Sequence, residues 1–94
     1  MYYTYVLIGQ DKDTGKNKLY TGSTGDLANR VREHKSGEIK TTKRLNNVSL
    51  IYYEACLNKT DARKRELQLK TGFGRGYIKR RLEGYLKNAG LVQW

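Results

Sequence analysis

Two tyrosine-bearing segments, an arginine and histidine four residues apart, and a glutamate set among cations are the residues whose types and spacing could do chemistry. Tyr3, Tyr5 and Leu7 alternate with Thr4, Val6 and Ile8, so in an extended strand the two tyrosines share a face. Tyr20 stands two residues before Gly22 in a second such run. Paired tyrosines on their own also suit amphipathic packing at a sheet edge. Arg30 and His34 are neighbours on one helix face, beside Leu27 and Val31. A cation held at a core boundary attracts an anion, although an arginine with a buried stem and a hydrogen-bonded boundary histidine give the same pattern. Glu66 shares a helix face with Ala62 and Leu69, while Arg63, Lys64, Arg65 and Lys70 fill the rest. A buried carboxylate needs partners or a metal. Ion pairs with Arg63 or Lys70, three and four residues away, are the plainer reading.

These residues need a framework. Tyr2 to Ile8, rich in aromatic and β-branched residues and ending at Gly9, predicts a strand. Gln10 to Asn17 reads as a turn and Lys18 to Gly22 as the returning strand of an antiparallel hairpin. Ser23 to Asp26 offer helix N-caps, and Leu27, Val31 and His34 mark a short amphipathic helix stopped by Gly37. Residues 38–45 are a polar short helix or loop. Val48 to Cys56 predicts a third strand, whose apolar density suggests the best buried of the three. Asn58 or Thr60 caps a helix over Asp61 to Lys70, and Thr71 to Gly76 breaks it. Tyr77, Ile78, Leu82, Tyr85 and Leu86 recur at helical spacing up to about Asn88, before Gly90. The order ββα(α)βαα predicts an α+β fold, a small three-stranded antiparallel sheet flanked by helices. With no repeat, linker or proline, residues 1–94 are expected to form one unit.

Composition narrows the chemistry. The 94 residues carry 19 Lys+Arg against 9 Asp+Glu, a net charge of +10. Residues 59–87 hold ten of the basic residues and three acids, hence +7 of that total. Such a surface attracts polyanions, nucleic acid above all, with a ribosome-associated RNA binder among the readings. No apolar run approaches the ~20 residues that span a bilayer, and the first residues lack the pattern of a secretory signal, so a cytoplasmic protein without membrane attachment is expected. The single cysteine, Cys56, allows neither an internal disulfide nor a Cys-rich zinc site and suits a core position better than a nucleophile. Gly72-Phe73-Gly74-Arg75-Gly76 lacks the glycine spacing of a dinucleotide loop and the Gly-Lys-Ser/Thr of a phosphate loop, and reads as a flexible basic turn or a helix-helix turn. Asn47-Val48-Ser49 and Asn58-Lys59-Thr60 match glycosylation acceptors, but nothing directs the chain to a secretory compartment.

Taken in order, Tyr3-Thr4-Tyr5-Val6-Leu7, Tyr20-Thr21-Gly22, Arg30, His34 and Glu66 within Ala62-Arg63-Lys64-Arg65-Glu66-Leu67 resemble the GIY-YIG nuclease superfamily, over Tyr3 to about Leu86. The small stand-alone bacterial members, described as endonucleases or excinuclease-like domains, are the most similar. A Tyr-x-Gly tripeptide alone is common, and the ordered combination is specific. The first motif reads Tyr-Thr-Tyr in place of Gly-Ile-Tyr, which leaves Tyr5 in position. The asparagine that many members carry about a dozen residues after the glutamate has no counterpart in Phe73 to Arg80, where Arg75 and Lys79 are the cations that could face a phosphate.

The resemblance implies phosphodiester hydrolysis by a metal-dependent DNA endonuclease, in DNA repair or the processing of structured DNA. It implies that Glu66 binds one Mg²⁺ or Mn²⁺, that Arg30 contacts the scissile phosphate, that Tyr5 and Tyr20 orient or deprotonate the water, and that His34 assists Tyr5. DNA, duplex or branched, is the implied partner, gripped by Lys35, Lys43, Arg44, Arg75, Lys79 and Arg80, with a partner protein or transient dimer for double-strand cleavage. A chain this short leaves no room for a separate recognition domain, so specificity for DNA shape is expected over specificity for base sequence. A nucleic-acid-binding module or repair adaptor that keeps the fold without useful catalysis is the competing expectation.

Overall fold

The computed structural model describes residues 1–90; residues 91–94, the end of the expected single unit, lie outside the described residues. In chain order the elements are β1 (Tyr2–Asp11), β2 (Asn17–Thr24), α1 (Leu27–Lys35), β3 (Leu45–Cys56), α2 (Lys59–Leu69), α3 (Gly72–Arg81) and α4 (Glu83–Asn88). The three strands form one antiparallel sheet in the order β2-β1-β3, so the α+β architecture is as the sequence predicts. Among the described residues no helix is long and apolar enough to cross a membrane.

The best-buried strand is β1, not β3. Thr4 to Gly9 are buried without interruption, because β1 is paired on both sides and covered on both faces. β3 lies at the sheet's edge and alternates between half-buried and exposed positions, with Tyr53 exposed. Apolar density alone could not foresee this, since it does not report which strand is central.

Strand register decides which residues can meet. Tyr5 lies opposite Gly22 and Leu7 opposite Tyr20, so these side chains share the face that meets α1. Thr4 lies opposite Ser23 and Val6 opposite Thr21, on the face covered by α2 and α3. There Val6, Leu69 and Ile78 form the core, and Thr4 donates to the Ala62 carbonyl at 2.8 Å. Arg65 clamps Glu54 of β3 with Nε and Nη2, each at 2.9 Å, and its guanidinium lies 4.8 Å from the Tyr77 ring centroid. The fork ties α2 to the sheet and to α3, and thereby fixes where Glu66 emerges.

The caps refine the predicted boundaries. Asp26 caps α1 by accepting from Asn29 N–H, and Asn58, rather than Thr60, caps α2. Thr71 to Gly76 is not a flexible turn, because Thr71 caps α3 through Gly74 N–H and helix begins at Gly72. A Cβ at Gly74 would run into the backbone of Gln68 and Leu69, so this glycine permits close approach of α3 to α2. Packing overrides the low helix propensity of the three glycines. The predicted last helix is divided at Leu82, which ends α3 and precedes α4.

Candidate active site

The site is built around β2, an edge strand, and its two halves lie on opposite faces of the sheet. On the α1 face, alternation brings Tyr5 and Tyr20 to within 6.3 Å, centroid to centroid. Gly22 belongs between them for a steric reason: a Cβ there would stand 2.5 Å from the Tyr5 hydroxyl oxygen. One turn of α1 then aims Arg30 and His34 at the same spot. His34 Nε2 is 2.8 Å from Tyr5 Oη, and the His34 ring lies 4.9 Å from that of Tyr20. Arg30 pairs with Glu33 at 3.3 Å, and its charge acts on the Tyr5 hydroxyl.

Burial sets the protonation states here. Tyr5, 1% exposed, has its pKa pushed up to about 12, with Arg30 opposing part of the rise. Burial, helped by the nearby Arg30 charge, holds His34 below the ordinary imidazole value. Near neutral pH the pair is therefore a neutral phenol hydrogen-bonded to a neutral imidazole.

On the opposite face, the face of α2 bearing Ala62 and Leu69 delivers Glu66 beneath β2 with only 4% exposure. Ser23 donates to Oε1 at 2.7 Å, while Arg63 and Lys70 approach Oε2 at 2.8 and 2.7 Å. Both ion pairs considered from spacing are thus present together. Burial alone would raise the carboxyl's pKa, but Lys70, Arg63 and Ser23 outweigh it and hold the group below the usual carboxylate range. Lys70 also reaches across the edge, with Nζ 6.0 Å from the Tyr20 ring centroid.

The donor chemistry around Glu66 fits a hard divalent cation. A carboxylate oxygen and a hydroxyl are both oxygen ligands. Among the described residues there is no cluster of three or more His, Cys, Asp or Glu. A cation here would keep most positions for water and phosphate oxygens, as Mg²⁺ commonly does.

Two depressions touch the Tyr20-His34 pair, one at each residue. One, of about 360 Å³, is lined by Tyr20, Thr41, Lys70 and Arg75. The other, of about 420 Å³, is lined by Lys12, His34, Lys35 and Lys43. Lys35 and Lys43 share a depression with His34, and Arg75 shares one with Tyr20, whereas Arg44 and Arg80 are exposed and line neither. Lys79 is half-buried farther along α3, so Arg75 is the one of the two asparagine substitutes that borders the cleft. A further depression, about 530 Å³, is largely apolar, lies between Tyr3, Leu27, Val31 and Tyr53, and contains none of the five candidate residues.

Comparison with known proteins gives the family. The profile of the GIY-YIG catalytic domain matches residues 1–80. The chain belongs to the GIY-YIG family. A UPF0213 protein of Staphylococcus haemolyticus is 40% identical over 68 residues, covering 71% of this chain and 79% of the relative. Another, from Pediococcus acidilactici, is 36% identical over 94 residues, covering 97% of this chain and 86% of the relative. No solved structure gives a significant match. Membership puts this GIY-YIG protein in a nuclease superfamily.

Two polar residues of this GIY-YIG site were not singled out from sequence. Ser23 was only a helix-cap candidate, and its place beside Glu66 follows from its register opposite Thr4. Thr42, in the polar stretch after α1, touches His34 Nδ1 at 2.7 Å, and no periodicity marks it.

Proposed function

We propose that this GIY-YIG protein is a divalent-metal-dependent DNA endonuclease, a single catalytic unit acting on structured DNA in repair or processing. The observation that carries this reading is the Tyr5 hydroxyl, which faces a neutral imidazole and a guanidinium on the sheet face opposite a buried carboxylate. Hydrolysis requires a base for water, charge stabilisation on the phosphoryl oxygens and help for the leaving alkoxide.

With its pKa near 12, Tyr5 is protonated at neutral pH and is not a base by itself. It can take a proton from water only as its own proton passes to His34 Nε2, 2.8 Å away. In that step the water oxygen forms a bond to phosphorus, one ester P–O bond breaks, and the leaving alkoxide takes a proton from solvent. Arg30, with a planar fork of donors, meets two phosphate oxygens. Tyr20 orients the water and phosphate at the mouth of the cleft. Glu66, with Ser23 beside it, would hold the Mg²⁺ or Mn²⁺, which when bound supplies Lewis-acid stabilisation of the phosphoryl oxygens. Lys35 and Lys43 line a depression with His34, and Arg75 lines one with Tyr20, which supports a nucleic-acid path past these residues. Arg44, Lys79 and Arg80 extend that basic surface outward.

One observation favours the binding-module alternative: Arg63 and Lys70 already engage Oε2 of Glu66. Incubation with supercoiled, linear, flapped and branched DNAs in Mg²⁺, Mn²⁺ or EDTA tests between the two. Cleavage of at least one substrate, abolished by EDTA and by Glu66→Gln, is the expected result. Binding without cleavage in every condition would overturn the endonuclease reading.

A further inference from the structure

We infer that Thr42 is a positioning residue that fixes the tautomer of His34 and so aims a bare imidazole nitrogen at Tyr5. The inference rests on the proton relay proposed above. Thr42 is 1% exposed, and its Oγ1 lies 2.7 Å from His34 Nδ1, while the other ring nitrogen meets Tyr5. A neutral imidazole carries one N–H, so whichever nitrogen donates, the other must accept. The contacts at both ends of this chain select the same arrangement.

At the Tyr5 end the phenol is 1% exposed, and His34 Nε2, 2.8 Å away, is the acceptor in reach of its hydrogen. At the other end, the Thr42 hydroxyl donates through a long 3.5 Å contact to the Ile39 carbonyl, which leaves its oxygen to accept from Nδ1–H. The chain therefore runs in one direction, from Tyr5 to His34, Thr42 and the Ile39 carbonyl. In the opposite tautomer Nε2–H would donate to Tyr5, and the phenolic hydrogen would lose the acceptor the structure gives it. Leaving a buried donor unsatisfied is costly, which favours one tautomer strongly.

For the relay this direction is the productive one. The Nε2 lone pair faces the proton it must receive, and Nδ1–H stays hydrogen-bonded as the ring becomes imidazolium. Thr42 touches neither water nor phosphate and acts only through the ring.

The test is simple to assign because the chain contains one histidine. Imidazole ¹H–¹⁵N correlation spectra of the full chain, without DNA or metal, are recorded at a pH about two units above the ordinary imidazole pKa of ~6.5. The wild type should give the Nδ1–H tautomer alone. Thr42→Val keeps the shape and removes the hydroxyl, and should bring in the Nε2–H form; Thr42→Ser should restore the wild-type spectrum. On any DNA the wild type cuts, Thr42→Val should slow single-turnover cleavage by about 10–100-fold, the range for outer partners of metal-bound histidines. Serine should recover most of that loss.

A wild-type spectrum showing the Nε2–H form overturns the proposal, and this needs no variant to fold. A pure Nδ1–H signal persisting in Thr42→Val overturns it as well. If the spectra behave as expected and no DNA is cut, the nuclease reading fails while the assignment of Thr42 to the tautomer stands.

Discussion

Replacing Glu66 by glutamine should separate a small structural role from a large chemical one. The carboxylate is 4% exposed, but Arg63 and Lys70 on Oε2 have side chains that are 57% and 45% exposed. When the carboxylate goes, both cations return to water, so each pair counts as a partly screened one worth about 0.2–1 kcal/mol. The Ser23 hydroxyl can still bond the amide oxygen. Glu66→Gln should therefore cost about 1 kcal/mol, or roughly 4–8 °C in Tm for a domain of this size. Removing the cations instead strands a buried charge. Arg63→Gln with Lys70→Gln should cost about 3–5 kcal/mol, and adding Glu66→Gln to that pair should recover most of it.

The pH dependence has a definite sign. Glu66 is held below its unfolded value, so its stabilisation is complete above an unfolded pKa of about 4.3 and is lost as pH falls through the lower folded value. The gap between wild type and Glu66→Gln should close in acid. In the double cation variant only the Ser23 hydrogen bond still opposes burial, so the carboxyl's pKa rises above its wild-type value and that variant should gain on wild type as pH falls. Urea titrations across this range provide the assay, and EDTA-sensitive cleavage, abolished in Glu66→Gln with DNA affinity equal or higher, provides the chemical readout. A Glu66→Gln protein at least as destabilised as the double cation variant would refute the picture of a buried carboxylate held by exposed cations.

Arg30→Ala should lower single-turnover cleavage by roughly 10²–10³-fold, as for other lost donors to a charged transition state, with a near-native Tm because the side chain is 36% exposed; unchanged cleavage would make Arg30 a surface cation. Tyr5→Phe should lose cleavage and about 1 kcal/mol, since the deleted hydroxyl meets His34 in the interior, whereas Tyr20→Phe should lose cleavage with little change in Tm. Equal stability losses in the two variants would contradict their different burial. DNA affinity should fall steeply with salt, and changing Arg80 and Arg81 to glutamine should reduce the slope of log K against log salt by about one to two units. A constant slope in that variant, with a shallower one in a Lys35, Lys43 and Arg75 triple variant, would confine the DNA to the two depressions.

How far the sequence discloses this protein depends on whether the relevant neighbours are local. Alternation in β1, the four-residue step from Arg30 to His34 and the helical faces around Glu66 are all short-range, and each is realised. Strand burial is not short-range. The density of apolar residues in Val48 to Cys56 suggests a central strand, yet centrality follows from pairing order, which puts β1 between β2 and β3. The glycines of Gly72 to Gly76 mislead for a related reason. A propensity scale counts their cost in an isolated helix, while the decisive fact is the close approach of α3 to the backbone at Gln68 and Leu69.

The candidate site repeats this division. Its side chains with distinctive chemistry announce themselves by type, but what tunes them comes from residues with no such mark. Thr42 belongs to a polar stretch that reads as a connection, and only the fold puts its hydroxyl against Nδ1 of His34. Ser23 is one of several cap-forming residues before α1, and only the β1-β2 register turns it toward Glu66. Gly22 is legible as part of a motif, while its physical reason is not. A side chain there would run into the Tyr5 hydroxyl, so only the smallest residue lets that hydroxyl keep its place beside His34. In the proposed reaction the base relay and the carboxylate approach one phosphate from the two faces of β2.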